Sequence, residues 1–386
     1  MRALFVAHMA KEHLNRFHLP TIRALQKRGW VVDCASNGDE KVPFVDHEYQ
    51  MSWKRTPFTT ATFKGISELK NLLKNEYYDI IYCHTPVGGL VARIAAKNTR
   101  KKGTKVVYCP HGLHFYKGAP AKNWLLYYPV EKWLAGKSDA IFTVNQEDYE
   151  LAKEKFTRKG CQVELVPEVG INIERLKVDD SAAARAEVRE RYRIPADAFV
   201  MIYIAELNEN KNQGMLIRAL KLLCDQGKNA HLMLVGLDHF DGKYNQLAEE
   251  LGVAERVTFT GWQSGIGELL YAADVCTASS FREGFGINLA EAMYCGLPAI
   301  ATDNRGHRCI IQDGKNGFLV PVNDAEQMAN RVSELMDDPG LYKKYSNQDA
   351  TQFDAEVIAE ELADRLEEIA GEDSEYFTKK IKEESK

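Results

Sequence analysis

Apolar positions alternate between short β-rich runs and longer stretches with helical spacing, and this period-switching recurs down the whole chain. The pattern predicts parallel sheets with crossover helices, an α/β fold throughout. In the first half the strands are expected near Leu4–Ala7, Val31–Ala35, Ile80–Cys83, Lys105–Cys109, Ala140–Val144 and Val163–Val166. Helices are expected near Leu14–Arg28, Thr62–Asn75, Gly88–Arg100, Asn123–Lys137 and Glu147–Phe156, with Gly29 and Gly103 as stops. A second series follows the segment Pro167–Asn172 and a charged helix near Ala182–Tyr192. Its strands lie near Val200–Ala205, His231–Val235, Val257–Thr260, Val275–Ala278 and Ala299–Thr302. Its helices lie near Gln213–Cys224, Tyr244–Leu251, Ile266–Ala272, Ile287–Cys295 and Ala325–Met336. Two doubly wound sheets of five or six strands are expected in sequence. Beyond Pro339, an apolar stripe from Glu356 to Ile369 should pack against a domain, while the charged residues from Gly371 to Lys386 should fray.

Length supports the division, because 386 residues exceed one typical core. The boundaries fall at 1–170, 171–350 and a terminal segment, 351–386. No apolar run reaches a membrane span and no cleavage pattern follows the opening strand, so a cytoplasmic protein is expected. The eight cysteines are scattered, with no C-x-x-C pair, and read as reduced core residues rather than a disulfide or zinc framework. Charge is uneven: residues 1–175 carry 27 Lys and Arg against 18 Asp and Glu, and residues 176–386 carry 23 against 37. The basic half suits an anionic partner, phosphate or membrane surface, or simply a solvated face.

Open parallel sheets bind ligands beyond the carboxyl ends of their strands, and two such sheets facing each other would form a cleft. No glycine follows the first strand, which disfavours a dinucleotide fold, and P-loop, serine-hydrolase and zincin motifs are absent. Three strand ends carry candidate chemistry. Lys211, in Glu206-Leu207-Asn208-Glu209-Asn210-Lys211-Asn212, stands just before a helix start where an anion would be welcome. Alone it reads as a solvated lysine. Glu283-Gly284-Phe285-Gly286-Ile287 opens the next candidate helix, with Glu291 about one turn inside it. Two carboxylates beside an anion-binding helix start suit the hydroxyls of a sugar or ribose next to a phosphate. The third is His111 in Pro110-His111-Gly112, a ligand-facing or a core histidine, with His84 in a similar but weaker position.

The Glu283–Glu291 element, with E-G-F-G inside it and A-x-x-x-G-x-P after it, resembles the signature of retaining glycosyltransferase family 4, of GT-B fold. The resemblance extends to residues 205–212, 303–308 (D-N-R-G-H-R), 313–320 and 110–118. These variants resemble bacterial members that extend capsular, exopolysaccharide or lipid-linked oligosaccharide chains. The resemblance implies an acceptor-binding first domain, a second domain for a nucleoside-diphosphate sugar, most simply a UDP-sugar, and a last helix crossing back to the first. It places Glu291 on the ribose, Glu283 on a donor-sugar hydroxyl, the Gly284–Ile287 segment on the diphosphate or sugar through the amides of Phe285 and Gly286, Lys211 on the diphosphate and His111 beside the donor sugar. His111, Glu283 and Lys211 would be the catalytic set. No cofactor and no metal are implied, and no Asp-x-Asp motif is present. Glu206 stands where the family often has an arginine, which Arg282 or Arg305 could replace. Retention is inherited from the resemblance, with front-face transfer as the favoured mechanism.

Residues 117–137 combine Trp124, Leu125, Leu126, Trp133 and Leu134 with Lys117, Lys122, Lys132 and Lys137 against Glu131 alone. The stretch reads either as an interfacial segment for a membrane bearing a lipid-diphosphate-linked acceptor, or as a core helix with a lysine face. No nucleic-acid partner is expected. Two other readings remain: a UDP-sugar 2-epimerase of similar fold, and a two-domain solute-binding protein.

Overall fold

A computed structural model describes residues 1–371 except 55, 57, 58, 158, 159, 168 and 169. The charged tail from 372 onward and part of the 167–172 segment therefore lie outside the described residues. Contacts divide the chain into two units, one of Met1–Gly170 together with Ala355 onward, the other Ile171–Asp354.

The first unit opens with β1 (Arg2–Met9), a π-helix (Ala10–His18) and α1 (Leu19–Lys27). There follow β2 (Val31–Asn37), β3 (His47–Gln50), α2 (Thr60–Asn75), β4 (Ile80–His84), α3 (Pro86–Ala95) and α4 (Lys97–Arg100). Next come β5 (Lys105–Cys109), α5 (Ala121–Ala135), β6 (Ala140–Thr143), α6 (Gln146–Phe156) and β7 (Gln162–Leu165). Seven parallel strands in the order β3-β2-β1-β4-β5-β6-β7 form the sheet, and β1 and β4 at its centre are almost wholly buried. Burial on both faces explains why their sequences are continuously apolar rather than alternating.

The second unit contains α7 (Ser181–Arg191), β8 (Phe199–Ile204), α8 (Gln213–Asp225), β9 (Ala230–Val235), α9 (Lys243–Glu250), β10 (Val257–Gly261) and α10 (Ile266–Ala272). It continues through β11 (Val275–Ala278), α11 (Ile287–Tyr294), β12 (Ala299–Thr302), β13 (Phe318–Val320), α12 (Ala325–Asp337) and α13 (Pro339–Ser346). Its six strands are parallel, ordered β10-β9-β8-β11-β12-β13. The amide of Ile171 donates to the carbonyl of Phe353 at 2.7 Å in a bridge that pairs Ile171 with Asp354, the unit's first and last residues.

The last helix, α14 (Ala355–Gly371), belongs to the first unit. Its stripe of Ile358, Leu362, Leu366 and Ile369 is buried in the core behind β1. The Arg28 guanidinium reaches the carboxylates of Glu360, Asp364 and Glu367, and Trp30 Nε1 donates to Glu367 at 2.7 Å. Hydrogen bonds to those carboxylates raise the Arg28 pKa against the opposing effect of burial, so the cation is fixed.

Both sheets are wider than the expected pattern, and the differences have local causes. β3 at one edge is polar and half-exposed, and β13 has three residues, so neither carries a hydrophobic run. The expected continuous helix Leu14–Arg28 is instead a π-helix followed by α1, because Pro20 in the first turn of α1 has no N–H for the preceding turn. The stretch 88–100 is likewise two helices. α13, which the pattern does not predict, begins where Asp338 caps the Leu341 amide with Pro339 at the first helical position, a helix-start signal.

Candidate functional site

Each loop after a central strand of the second sheet is held by its own side chains. After β8, the Lys211 amide donates to Asn208 Oδ1 at 3.0 Å and Gln213 Nε2 to the Glu206 carbonyl at 2.8 Å. Asn212 adopts a left-handed conformation (φ 51°) as it enters α8. This turn aims Lys211 across to the end of β11, where its Nζ lies 2.5 Å from Glu283 Oε1.

Glu283 is fixed from beneath. The Ser280 hydroxyl donates to Glu283 Oε1 at 2.5 Å, so the Tyr203 hydroxyl, 2.6 Å from Ser280 Oγ, must itself be the donor to Ser280. Burial first, then the nearby Glu283 charge, raises the Tyr203 pKa, which keeps that phenol protonated and the chain of donors intact. Thr302 Oγ1 and Asn304 Nδ2 hold the Ser280 carbonyl at 2.6 and 3.1 Å, and Asn304 Oδ1 accepts the amides of Gly306 and His307. Gly306 lies so close that a Cβ there would sit 2.6 Å from Glu283 Cβ. His307 Nδ1 faces the Thr302 carbonyl at 2.7 Å and must carry the proton, which leaves a lone pair on the buried Nε2. Burial lowers the His307 pKa, so the ring is neutral.

Beyond Glu283, Gly286 caps α11, and the first-turn amides of that helix are a ready anion site. Gly284, Phe285 and Ile287 form the half-buried approach, and Glu291 is half-buried about one turn along. The structure thus gathers Lys211, Glu283 and the Gly284–Ile287 turn at adjoining strand ends, with Glu291 on the helix that follows. Glu206 is exposed and pairs with His239 at 3.6 Å, while Arg282 precedes Glu283 on the same loop and Arg305 lies on the loop after β12. The sequence reading gave no role to Ser280, Tyr203, Asn208, Thr302, Asn304 or His307. Part of the signal was present in the D-N-R-G-H-R segment, but its meaning depends on β11 and β12 being neighbours.

His111 belongs to the first unit, where it follows β5 with a left-handed backbone (φ 55°). Its Nε2 lies 3.2 Å from both His13 Nε2 and His84 Nδ1. His84, weakly favoured from sequence, is fully buried at the end of β4. His13 and His18 were not anticipated. In an α-helix two residues five apart diverge by about 140° around the axis. The π-helix, with its i→i+5 period, brings both onto one face, and their Nε2 atoms are 3.1 Å apart.

Sequence profiles agree with the two-unit division. Residues 2–145 match the profile described as Glycosyl transferase 4-like, and residues 184–352 match Glycosyl transferases group 1. A protein named as a glycosyltransferase, EpsD of Bacillus subtilis (strain 168), is 43% identical over 355 residues, covering 91% of this chain and 93% of the relative. The chain is a family 4 glycosyltransferase. The transferase is also 26% identical over 284 residues to an Escherichia coli protein named UDP-Gal:alpha-D-GlcNAc-diphosphoundecaprenol alpha-1,3-galactosyltransferase, covering 72% of this chain and 71% of that one. Its fold matches a sucrose-phosphate synthase from Thermosynechococcus elongatus with TM-score 0.78 at 21% identity, covering 95% of this chain and 98% of that one. It also matches Anabaena HepE in complex with UDP, with TM-score 0.74 at 22% identity, covering 95% of the transferase and all of HepE. The fold is therefore GT-B. Family membership makes the protein an enzyme and removes the support for a solute-binding reading.

Proposed function

We propose that this glycosyltransferase moves a hexose or N-acetylhexosamine from a UDP-sugar, with retention of configuration, to a saccharide or lipid-diphosphate-linked saccharide in bacterial surface polysaccharide synthesis. The observation that carries the donor site is the Lys211–Glu283 pair beside the glycine turn that opens α11. Breaking a sugar–phosphate bond leaves an oxocarbenium-like sugar and a more negative nucleotide. Lys211 and the α11 amides would neutralise the leaving diphosphate, and Glu283, already fixed by Ser280, would accept a donor-sugar hydroxyl. Glu291 would hold the ribose. Arg282 and Arg305 are the candidates for the cation that Glu206 cannot supply. In the first unit His111 would serve the donor sugar, and the chemistry would use no cofactor. The E. coli relative is named for transfer from UDP-Gal to a lipid-diphosphate sugar, and HepE was solved with UDP and with UDP-glucose, which favours a uridine donor.

Attachment to an anionic lipid surface through the first unit is part of the same reading. Along α5, Lys122, Leu125, Leu126, Pro129 and Trp133 are all exposed, at spacings that place them on one face. Leu125 and Leu126 are 76% and 65% exposed. Glu131, the acid of this stretch, faces inward to Arg93 at 2.8 Å, so the outer face keeps its lysines without a counter-charge from the helix. A groove beside Trp133 is lined by Lys70, Lys74, Lys97, Lys101, Lys102 and Lys137. No helix among the described residues is long and apolar enough to cross a membrane.

Incubation with UDP-glucose, UDP-galactose and their N-acetylated forms, with and without a polyprenyl-diphosphate saccharide, tests the reaction. Acceptor-dependent UDP release with a product of retained anomeric configuration is expected. An inverted linkage, or isomerised UDP-sugar formed without acceptor, would overturn the reading, the latter in favour of the epimerase.

A further inference from the structure

We propose that His13, His18, His84 and His111 form a binding site for one first-row transition-metal dication, Zn²⁺ foremost, that locks the opening segment of the first unit onto its sheet. The four rings come from the π-helix and from the ends of β4 and β5, so the site sits at the carboxyl edge of the sheet. One ring nitrogen of each lies within 4.8 Å of all the others. The successive contacts, His18 to His13, His13 to His111 and His111 to His84, are 3.1, 3.2 and 3.2 Å. Nitrogens bound tetrahedrally at about 2.0–2.1 Å from zinc stand about 3.3 Å apart, close to these spacings. Two ligands of one ion cannot be more than about 4.2 Å apart, so the widest pair draws in as the ion is taken up.

Hydrogen bonding does not account for the arrangement. A ring nitrogen offers one proton or one lone pair in a single in-plane direction. His13 Nε2 faces both His18 and His111, and His111 Nε2 faces both His13 and His84. Each central nitrogen is therefore asked to serve two neighbours. Meanwhile His18 Nδ1 and His84 Nε2 are buried without a hydrogen-bond partner. The buried rings of His13, His18 and His84 and the half-buried ring of His111 thus share nitrogens among themselves while two buried ring nitrogens go unpartnered, and one cation that accepts all four lone pairs relieves that cost. Burial holds His13, His18 and His84 well below the ordinary imidazole range, so at neutral pH they are in the form that binds metal. Softness points the same way, since neutral imidazole suits zinc, copper, nickel and iron rather than magnesium or calcium.

A site closed by four protein ligands is structural rather than catalytic. The ion would fix the rare π-helix, which without it depends on a poorly bonded cluster, and would occupy the His111 ring nitrogen, so that the service to the donor sugar proposed above for His111 would come from its left-handed backbone at the strand end rather than from the ring. This inference does not depend on the identity of the donor or acceptor.

The test uses the full chain, stripped with chelator and dialysed, and titrated with Co²⁺ and Zn²⁺. Intense visible bands of tetrahedral cobalt at one equivalent, displacement by Zn²⁺ and a rise in melting temperature are expected. His18→Gln and His84→Gln should each weaken Co²⁺ binding at least tenfold, and the exposed His47→Gln should not. Should either variant fail to fold, the wild-type spectrum still decides. Absence of tetrahedral bands, or binding equally tight in His18→Gln and His84→Gln, would overturn the proposal.

Discussion

Lys211 Nζ and Glu283 Oε1 meet at 2.5 Å across two loops that are 72 residues apart in sequence and adjacent only because β8 and β11 are paired. A free enzyme that pairs these charges keeps each from a worse partner, and a donor carrying both phosphate and hydroxyls can engage both at once. Lys211→Ala and Glu283→Gln are each expected to lower kcat by about 10²–10³-fold while the melting temperature stays within a few degrees. Steady-state UDP release and thermal melts on the same preparations check this. Full activity in either variant would remove that residue from the reaction.

Gly306 tests whether the loop after β12 acts through Glu283. A methyl at 306 would meet Glu283 Cβ at 2.6 Å and its backbone at 2.7 Å, atoms that cannot swing aside. Gly306→Ala should therefore cost about 1–3 kcal/mol and raise the donor KM. Gly265→Ala, where a Cβ meets nothing within 4 Å, should change stability by less than about 0.5 kcal/mol. Urea denaturation with donor kinetics separates the two effects.

The proposed membrane attachment would have a charge and an apolar component. The transferase should float with vesicles containing phosphatidylglycerol, less with phosphatidylcholine alone, and less as salt rises. Leu125→Ser combined with Leu126→Ser should reduce flotation at all salt concentrations, and Lys97→Glu combined with Lys101→Glu mainly at low salt. Equal recovery on neutral vesicles would contradict the anionic-surface reading.

Acid should weaken the second unit through His231, whose Nε2 meets Thr258 Oγ1 at 2.8 Å and whose pKa burial lowers to about 4. Between pH 6.5 and 4 the unfolded chain binds a proton at this position that the folded chain refuses, so stability falls as pH falls, by at most about 1.4 kcal/mol per pH unit. His231→Gln should flatten the pH dependence of the melting temperature over that window. An unchanged slope would show that His231 titrates freely in the folded protein.

The sheet order and the candidate-site carboxylates illustrate what is legible from sequence and what is not. β1, β4, β8 and β11 are apolar runs that end in polar turns, and a parallel sheet requires that of buried strands, so their strand ends could be found directly. Glu283, Lys211 and Glu291 stood out because glycines and helix starts surround them. Their partners Ser280, Tyr203 and Asn304 did not, since a hydroxyl or amide takes its meaning from a neighbouring strand. The histidine cluster was hidden by helix period: read with 3.6 residues per turn, His13 and His18 point apart, and only the π-helix registers them together. β3 was missed because a half-exposed edge strand needs no hydrophobic pattern.

The central claim is a nucleotide-sugar site on the second unit, and the most direct measurement is a thermal-shift panel of UDP, GDP, ADP and several UDP-sugars on wild type and Glu291→Ala. Stabilisation by uridine nucleotides in the wild type, lost in Glu291→Ala, is the predicted result. No shift with any nucleotide, or an equal shift in the variant, would contradict it.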